Sequence, residues 1–241
     1  MKQPLAFLRS LARAFRDNTG IRSIIAPFGI RPSYALNDLD IKLASYLNFR
    51  NGYFIEAGAN DGLYQSNTAF FEHYLGWRGL LIEPIPSLAA RCRVNRPKAK
   101  IEQCALVAAD YGKRTVDMQY CNLMSVVNGA RGSAEADQAH VQSGLRFLRP
   151  GEKTYTVSVP ARTLQEVMQE HAISHVDLLS LDVEGYEAEV LRGIDFDAVA
   201  PRYILVEAND PASIEAALGE KYELIAVLSH HDRLYRVVSN G

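Results

Sequence analysis

The sequence is poor in cysteine. Cys92, Cys104 and Cys121 are the only three in 241 residues. Their odd number argues against a disulfide framework and their spacing fits no metal pattern, which points to a reducing, cytoplasmic compartment. Long apolar runs are missing too. None reaches the ~18 residues of a membrane span, so no transmembrane helix is expected. Nor is there an excess of positive charge. The 26 Lys and Arg against 28 Asp and Glu leave a formal charge of −2, without the basic surface that non-specific nucleic-acid binding requires. What the chain does have is 48% hydrophobic residues, enough for one domain with a sizeable core, or one domain plus a cap.

The first segment, "MKQPLAFLRSLARAFRDNTG", differs in kind from the rest. Leu5, Leu8, Leu11, Ala12 and Phe15 share one helical face, and Lys2, Arg9, Arg13 and Arg16 add positive charge. It lacks the continuous apolar core of a secretory signal. Two readings stand. Residues 1–17 form a helix that lies on a partner or on the inner, anionic face of a membrane, or a helix that docks on its own domain. Residues 1–35 read as an appendage, closed by the turn-rich Pro27–Ser33.

From there the pattern predicts a domain over 36–241. A helix is expected over Asn37–Leu47, from leucines four residues apart. Strands are expected at Tyr53–Ala57, Gly79–Glu83, Lys100–Val107, Val176–Val183 and Arg202–Ala208. Helices are expected at Ser66–Leu75, Pro86–Asn95, Tyr186–Arg192 and Ala212–Leu218. Continuous apolar strands alternating with helices imply a parallel sheet covered on both faces. Tyr222–Leu228 and Arg233–Val238 are separated by a link too short for a crossover, so they form an antiparallel hairpin. The fold class is therefore α/β, a doubly wound, mostly parallel sheet that ends in a hairpin. Asp110–Arg162 interrupts it, with extra strands at Thr115–Tyr120 and Thr154–Pro160 and a polar, glycine-rich stretch at Asn128–Gly151. An interruption of that length reads as a substrate cap.

The chemistry concentrates at strand ends. In "GYFIEAGANDG" an apolar strand ends in Glu56 and breaks into a turn with Gly58 and Gly62. The spacing is not the dinucleotide pattern G-x-G-x-x-G, so the ligand need not be a phosphate. Glu83 ends the next strand in "LLIEP", where an acid can accept hydrogen bonds from ribose hydroxyls. A pair of acids on two strand tips suits S-adenosylmethionine, which has an ammonium, a sulfonium and a ribose but no phosphate. Asp182 and Glu184 crowd a third tip in "LSLDVEGYE", and Glu207 ends a fourth in "VEAND".

The blocks "FIEAGANDG", "QSNTAFFEHYLGWRGLLIEP", "LLSLDVEGYEAEVLRG" and "ILVEAN" together resemble the FkbM family of S-adenosylmethionine-dependent methyltransferases, from about Tyr53 to Val238. The resemblance implies the seven-stranded class I methyltransferase fold, which is Rossmann-like, and O-methylation. It implies that Glu56, Gly58, Ala59, Asn60, Asp61 and Gly62 form the cofactor turn, followed by Ser66, Asn67 and Thr68. It implies that Glu83 holds the ribose, that Ala105 sits by the adenine, and that Asp182, Glu184 and Gly185 match the family's D-x-E-G block. The cap matches no transferable pattern.

Methyl transfer from a sulfonium is an in-line displacement, and an alcohol acceptor needs a base to draw off its proton. Glu184, Glu207 and His230 are the candidate bases, with His231 beside the last. Asp182, Glu184 and Glu207 are also a candidate oxygen-ligand set for a divalent metal such as Mg²⁺ or Mn²⁺. The expected activity is O-methylation of a hydroxyl on a sugar, a glycan or a glycosylated metabolite. The alternatives are a polyketide or lipid-like hydroxyl acceptor, or a non-catalytic protein that binds S-adenosylmethionine.

Overall fold

The structure, a computed structural model, describes residues 31–238. The amphipathic segment at residues 1–17 lies outside the described residues. Tyr34 and Ala35, at the end of the segment read as an appendage, are buried. The Asp40 carboxylate fastens them, accepting from the N–H groups of Tyr34 (2.6 Å) and Ala35 (3.3 Å) and from the Ser33 hydroxyl (2.6 Å). The expected helix over Asn37–Leu47 is shorter than its leucine spacing suggests. A 3-10 turn at Leu36–Asp38 leads into α1 (Leu39–Leu43). Asn37 and Asp38 take left-handed backbone angles, φ 54° and 57°, and these break the helical path at its start.

Strand β1 (Tyr53–Ala57), helix α2 (Ala69–Leu75), strand β2 (Arg78–Ile82), helix α3 (Pro86–Asn95) and strand β3 (Lys100–Glu102) then alternate. Helix α2 begins three residues later than expected, because Ser66, Asn67 and Thr68 are engaged in binding Glu56. The expected strand Lys100–Val107 is two strands. After Glu102 the chain leaves the main sheet, and β4 (Ala105–Leu106) joins a second one. Nothing local in the run "KIEQCALV" reveals such a change of partner.

The insertion contains β5 (Thr115–Tyr120), β6 (Val126–Val127), helix α4 (Ala134–Gly144) and β7 (Tyr155–Arg162). Strands β5 and β7 pair antiparallel from Thr115↔Pro160 to Tyr120↔Tyr155, and the second sheet has the order β4-β7-β5-β6. The glycine-rich stretch Asn128–Gly151 is thus not all loop. Ser133 caps α4 by accepting from the Ala136 N–H.

Helix α5 (Leu164–Glu170) starts in a capping box made by Thr163 and Glu166. It leads to β8 (Leu178–Leu181), α6 (Glu187–Arg192), β9 (Tyr203–Glu207), α7 (Pro211–Leu218), β10 (Tyr222–Val227) and β11 (Asp232–Val237). The main sheet has seven strands in the order β10-β11-β9-β8-β1-β2-β3. All pairs are parallel except those of β11 with β10 and β9. Strand order reverses between β1 and β8, and a doubly wound sheet opens its ligand crevice at that point. Alternate residues supply the two faces. Ile55 and Leu179 pack with α5, α6 and α7 on one side, while Phe54 and Leu178 pack with α1 and α2 on the other. Among the described residues no helix is long and apolar enough to cross a membrane.

One buried cation ties this frame together. The Arg96 side chain is fully buried, 3.1 Å from Glu72 and 3.9 Å from Glu56. It donates to the Gly62 carbonyl (2.9 Å) and the Thr68 hydroxyl (3.2 Å). Removing one partner of a buried ionic cluster leaves uncompensated charge. Arg96→Met is expected to lower stability by ~3–5 kcal/mol, measured as a shift in the urea unfolding midpoint with unchanged slope.

Candidate active site

The tips of β1, β2 and β8 end level, with Ala57 opposite both Ile82 and Leu181. Beyond them the chain turns at Gly58, whose φ is +81° and whose added Cβ would stand 1.8 Å from the Asp182 carbonyl oxygen. Only glycine lets β1 pass so close to β8. Above the turn lies a cleft of about 970 Å³, part of it open to solvent. Its lining includes Glu56, Gly58, Ala59, Asn60, Ser66, Asn67, Glu83, Ala105, Asp182 and Glu184. These ten were expected in the cofactor or catalytic site from the sequence.

The carboxylates play different parts. Both Glu56 oxygens are engaged within the protein. Oε1 accepts from the Asn67 N–H (2.8 Å), and Oε2 accepts from the hydroxyls of Ser66 (2.9 Å) and Thr68 (2.6 Å). Glu56 shapes the cleft by fixing the loop that lines it. Glu83 is held by the N–H groups of Asn60 (2.8 Å) and Ile85 (2.9 Å). Burial outweighs these bonds and pushes its carboxyl up to about 8, with Asp61 adding to the effect. Asp182 sits deep in the cleft yet exposes its side chain to it. Burial, then the charges of Glu184 and Glu207, hold its carboxyl well above the usual range.

Glu184 stands on a left-handed residue, φ 59°, which turns its side chain toward the insertion. There its Oε2 meets Arg131 Nη2 at 3.3 Å and His140 Nε2 at 3.2 Å. Sequence reasoning missed both partners; His140, inside the stretch read as polar and glycine-rich, lies buried on α4. Ser133 followed by good helix formers was the available signal. Asn122, Leu123 and Ser125 from the insertion also line the cleft and were not foreseen.

Five expected residues lie outside the lining. Asp61 is an internal anchor, accepting from the N–H groups of Leu63 and Tyr64 and pairing with Arg91 (2.8 Å) and Arg149 (3.1 Å). Gly62 and Thr68 face Arg96. Glu207 ends β9, one strand further from the switch point. Burial, then the charges of Glu184, Glu187 and Asp232, push it up to about 7, and His231 Nε2 stands 3.8 Å from its Oε1. His230 is exposed on the hairpin turn, with its ring against His231. The turn places His231, not His230, toward Glu207.

The tentative metal set is not assembled. Among the described residues no group of three or more His, Cys, Asp or Glu side chains has the arrangement to hold a metal ion. Glu184 is turned to Arg131 and His140, and Glu207 to His231.

The cleft does suit a cationic nucleoside. Four carboxylates line it (Glu56, Glu83, Asp182 and Glu184), and among the described residues no lysine or arginine does. Asn67 Oδ1 is buried there without a hydrogen-bond partner, an acceptor left over for a ligand's donor. Ile82, Ala105, Leu106, Met118 and Val127 add apolar side chains to the lining.

Comparison with known proteins shows the family. The chain matches the family described as Methyltransferase FkbM domain over residues 56–237. It is 24% identical over 198 residues to the 2-O-methyltransferase NoeI of Sinorhizobium fredii (strain NBRC 101917 / NGR234), across 79% of this chain and 76% of that protein. Two similar solved structures are a TehB-like SAM-dependent methyltransferase from Corynebacterium glutamicum and a methyltransferase FkbM from Methylobacillus flagellatus. The first is 12% identical with a TM-score of 0.41, over 97% of this chain and 99% of that one. The second is 12% identical with a TM-score of 0.42, over 77% of this chain and 43% of that one. At these scores neither bears on the chemistry of the cleft. The family match spans most of the chain and contains every strand tip described above, and with it this protein belongs to the FkbM methyltransferases.

Proposed function

We propose that the chain is an S-adenosylmethionine-dependent O-methyltransferase acting on a hydroxyl of a sugar, a glycan or a glycosylated metabolite. The observation that carries the reading is the cleft at the switch point, lined among the described residues by four carboxylates and no basic side chain. Phosphate would find no basic partner there among the described lining residues, whereas acids that are costly to ionise are relieved by a sulfonium bearing an ammonium. The 2-O-methyltransferase relative supports oxygen as the acceptor. A hydroxyl-rich acceptor suits the polar groups at the mouth of the cleft.

S-adenosylmethionine, when bound, supplies an electrophilic methyl group on sulfur. The protein's own part is to hold and to deprotonate. Glu83 would receive the ribose hydroxyls, and the wall of Ile82, Ala105 and Leu106 would take the purine. Asp182 and Asn67 Oδ1 offer acceptors for the ammonium. Glu184 is the base best placed for an acceptor hydroxyl. Arg131 and His140 both sit on its Oε2, which fixes the carboxylate and leaves Oε1 for the acceptor's proton. The insertion above excludes water from the reacting groups.

Titration calorimetry with S-adenosylhomocysteine tests the cofactor site directly. Wild-type protein should bind, and Glu83→Ala should weaken binding by ~1–3 kcal/mol, the value of hydrogen bonds to a charged group. No binding by the wild type would remove the proposal, and an unchanged Glu83→Ala would remove the ribose assignment. The raised Glu83 carboxyl sets a pH dependence. Ribose hydroxyls donate to the ionised form, so binding lowers its pKa and releases a proton wherever the empty site is protonated, that is, below about pH 8. Affinity should therefore rise between pH 6 and pH 8 and level off above. A flat profile, with no proton release across buffers of different ionisation heat, would contradict it. Glu184→Gln should leave S-adenosylhomocysteine affinity unchanged while kcat falls ~10²–10⁴-fold, the usual weight of a general base.

A further inference from the structure

The insertion reaches the cofactor turn through a chain of side-chain amides. Asn122 is buried, lines the cleft and holds a left-handed backbone, φ 53°. Its Oδ1 accepts from Asn60 Nδ2 at 3.2 Å, and its Nδ2 donates to Glu152 Oε2 at 3.1 Å. Asn60 Oδ1 in turn accepts from the Asp61 N–H at 2.7 Å, and the Asn60 N–H is one of the two that hold Glu83. A second strap runs parallel, from Arg149 Nη2 to Asp61 Oδ2 at 3.1 Å.

The polarity of this chain is set at its far end. An ionised carboxylate only accepts hydrogen bonds, so Glu152 must face the NH₂ of Asn122. That leaves the Asn122 oxygen toward Asn60 and fixes which way the Asn60 amide lies. Burial works against the charge on Glu152. Hydrogen bonds from the Arg149 N–H and the Asn122 amide outweigh it and hold the carboxyl below its ordinary value.

We propose that Asn122, oriented by Glu152, is a positioning residue that the insertion contributes to the cofactor site, so that nucleoside binding and the docking of the insertion are coupled. The inference rests on the nucleoside reading of the cleft and adds to it. The acceptor side of the cleft is completed by elements that also brace Asn60 and, through its N–H, Glu83. A bound nucleoside that fixes the Asn60 turn therefore favours the docked insertion, and the docked insertion favours the nucleoside, by the same factor.

The test uses the full chain and S-adenosylhomocysteine, with two readouts: affinity by calorimetry and amide hydrogen exchange over residues 115–162. In the wild type the nucleoside should slow exchange in the insertion. Asn122→Asp keeps the shape but sets two carboxylates against each other at the Glu152 contact. It should weaken binding about tenfold, the equivalent of one buried hydrogen bond, and abolish the added protection. Glu152→Gln puts an NH₂ opposite the new acid only by turning it on the Arg149 N–H from which Oε2 now accepts, so the double substitution Asn122→Asp with Glu152→Gln should recover both readouts only in part. Arg149→Ala, at an exposed side chain, should reduce the protection with little effect on folding. The proposal is overturned if the wild type binds S-adenosylhomocysteine but its insertion exchanges at the same rate, or if Asn122→Asp binds as the wild type does. Absence of binding by the wild type is a different result, and it overturns the nucleoside reading itself along with this one.

Discussion

The knot of Glu56 and Arg96 is the constraint on which the cleft depends. A carboxylate at the end of a buried strand must be compensated, and here the compensation is the loop itself. The hydroxyls of Ser66 and Thr68 and the Asn67 N–H close on Glu56. Arg96 locks the far side through Gly62 and Thr68. The loop cannot move without exposing charge to an apolar interior. The rigid rim that results carries Asn67 and Asn60 at fixed positions over the sheet. The strand-end acid thus acts on the ligand site indirectly, by fixing the rim.

The cleft beyond the rim, and the strand tip next to it that ends in Glu207, hold acids above their ordinary pKa. Glu83, Asp182 and Glu207 are all raised, with burial the first cause in each and neighbouring carboxylates adding to it. Such a cluster is costly to charge and is relieved by a cation of the right shape. Under the proposed function, these acids and the lack of basic side chains among the described lining residues would act together, favouring a positive nucleoside over a nucleotide. The same acids differ in accessibility. Glu83 is enclosed by backbone donors, while Asp182 opens into the cleft, so one is suited to neutral hydroxyls and the other to charge.

Most of the frame could be read from the sequence because it rests on short-range signals. β1 and α3 have the bounds that periodicity and a helix-starting Pro86 imply. The four-residue link forced the hairpin. The acids at strand tips were legible because an acid after an apolar run is itself unusual. The misreadings have a common cause in long-range partners. Nothing local tells Lys100–Val107 that its two halves belong to different sheets. His140, Arg131 and Asn122 gain their roles only when the insertion folds back across about fifty residues. His230 and His231 could not be told apart by composition, and only the twist of the hairpin turn directs the second toward Glu207.

The insertion has its own sheet and its own small apolar clusters, around Val116, Met118 and Val159 in one and Cys121, Val126 and Val141 in another. It leaves the main sheet after Glu102 and returns at the capping box of Thr163. Its architecture is thus that of an exchangeable module, whose surface can diverge while the parallel frame stays constant. Asn122 and Glu152 limit that freedom. A foreign module grafted at the same two seams would have to bring its own amide and its own acid to meet Asn60, so compatibility between scaffold and module comes down to a two-residue plug.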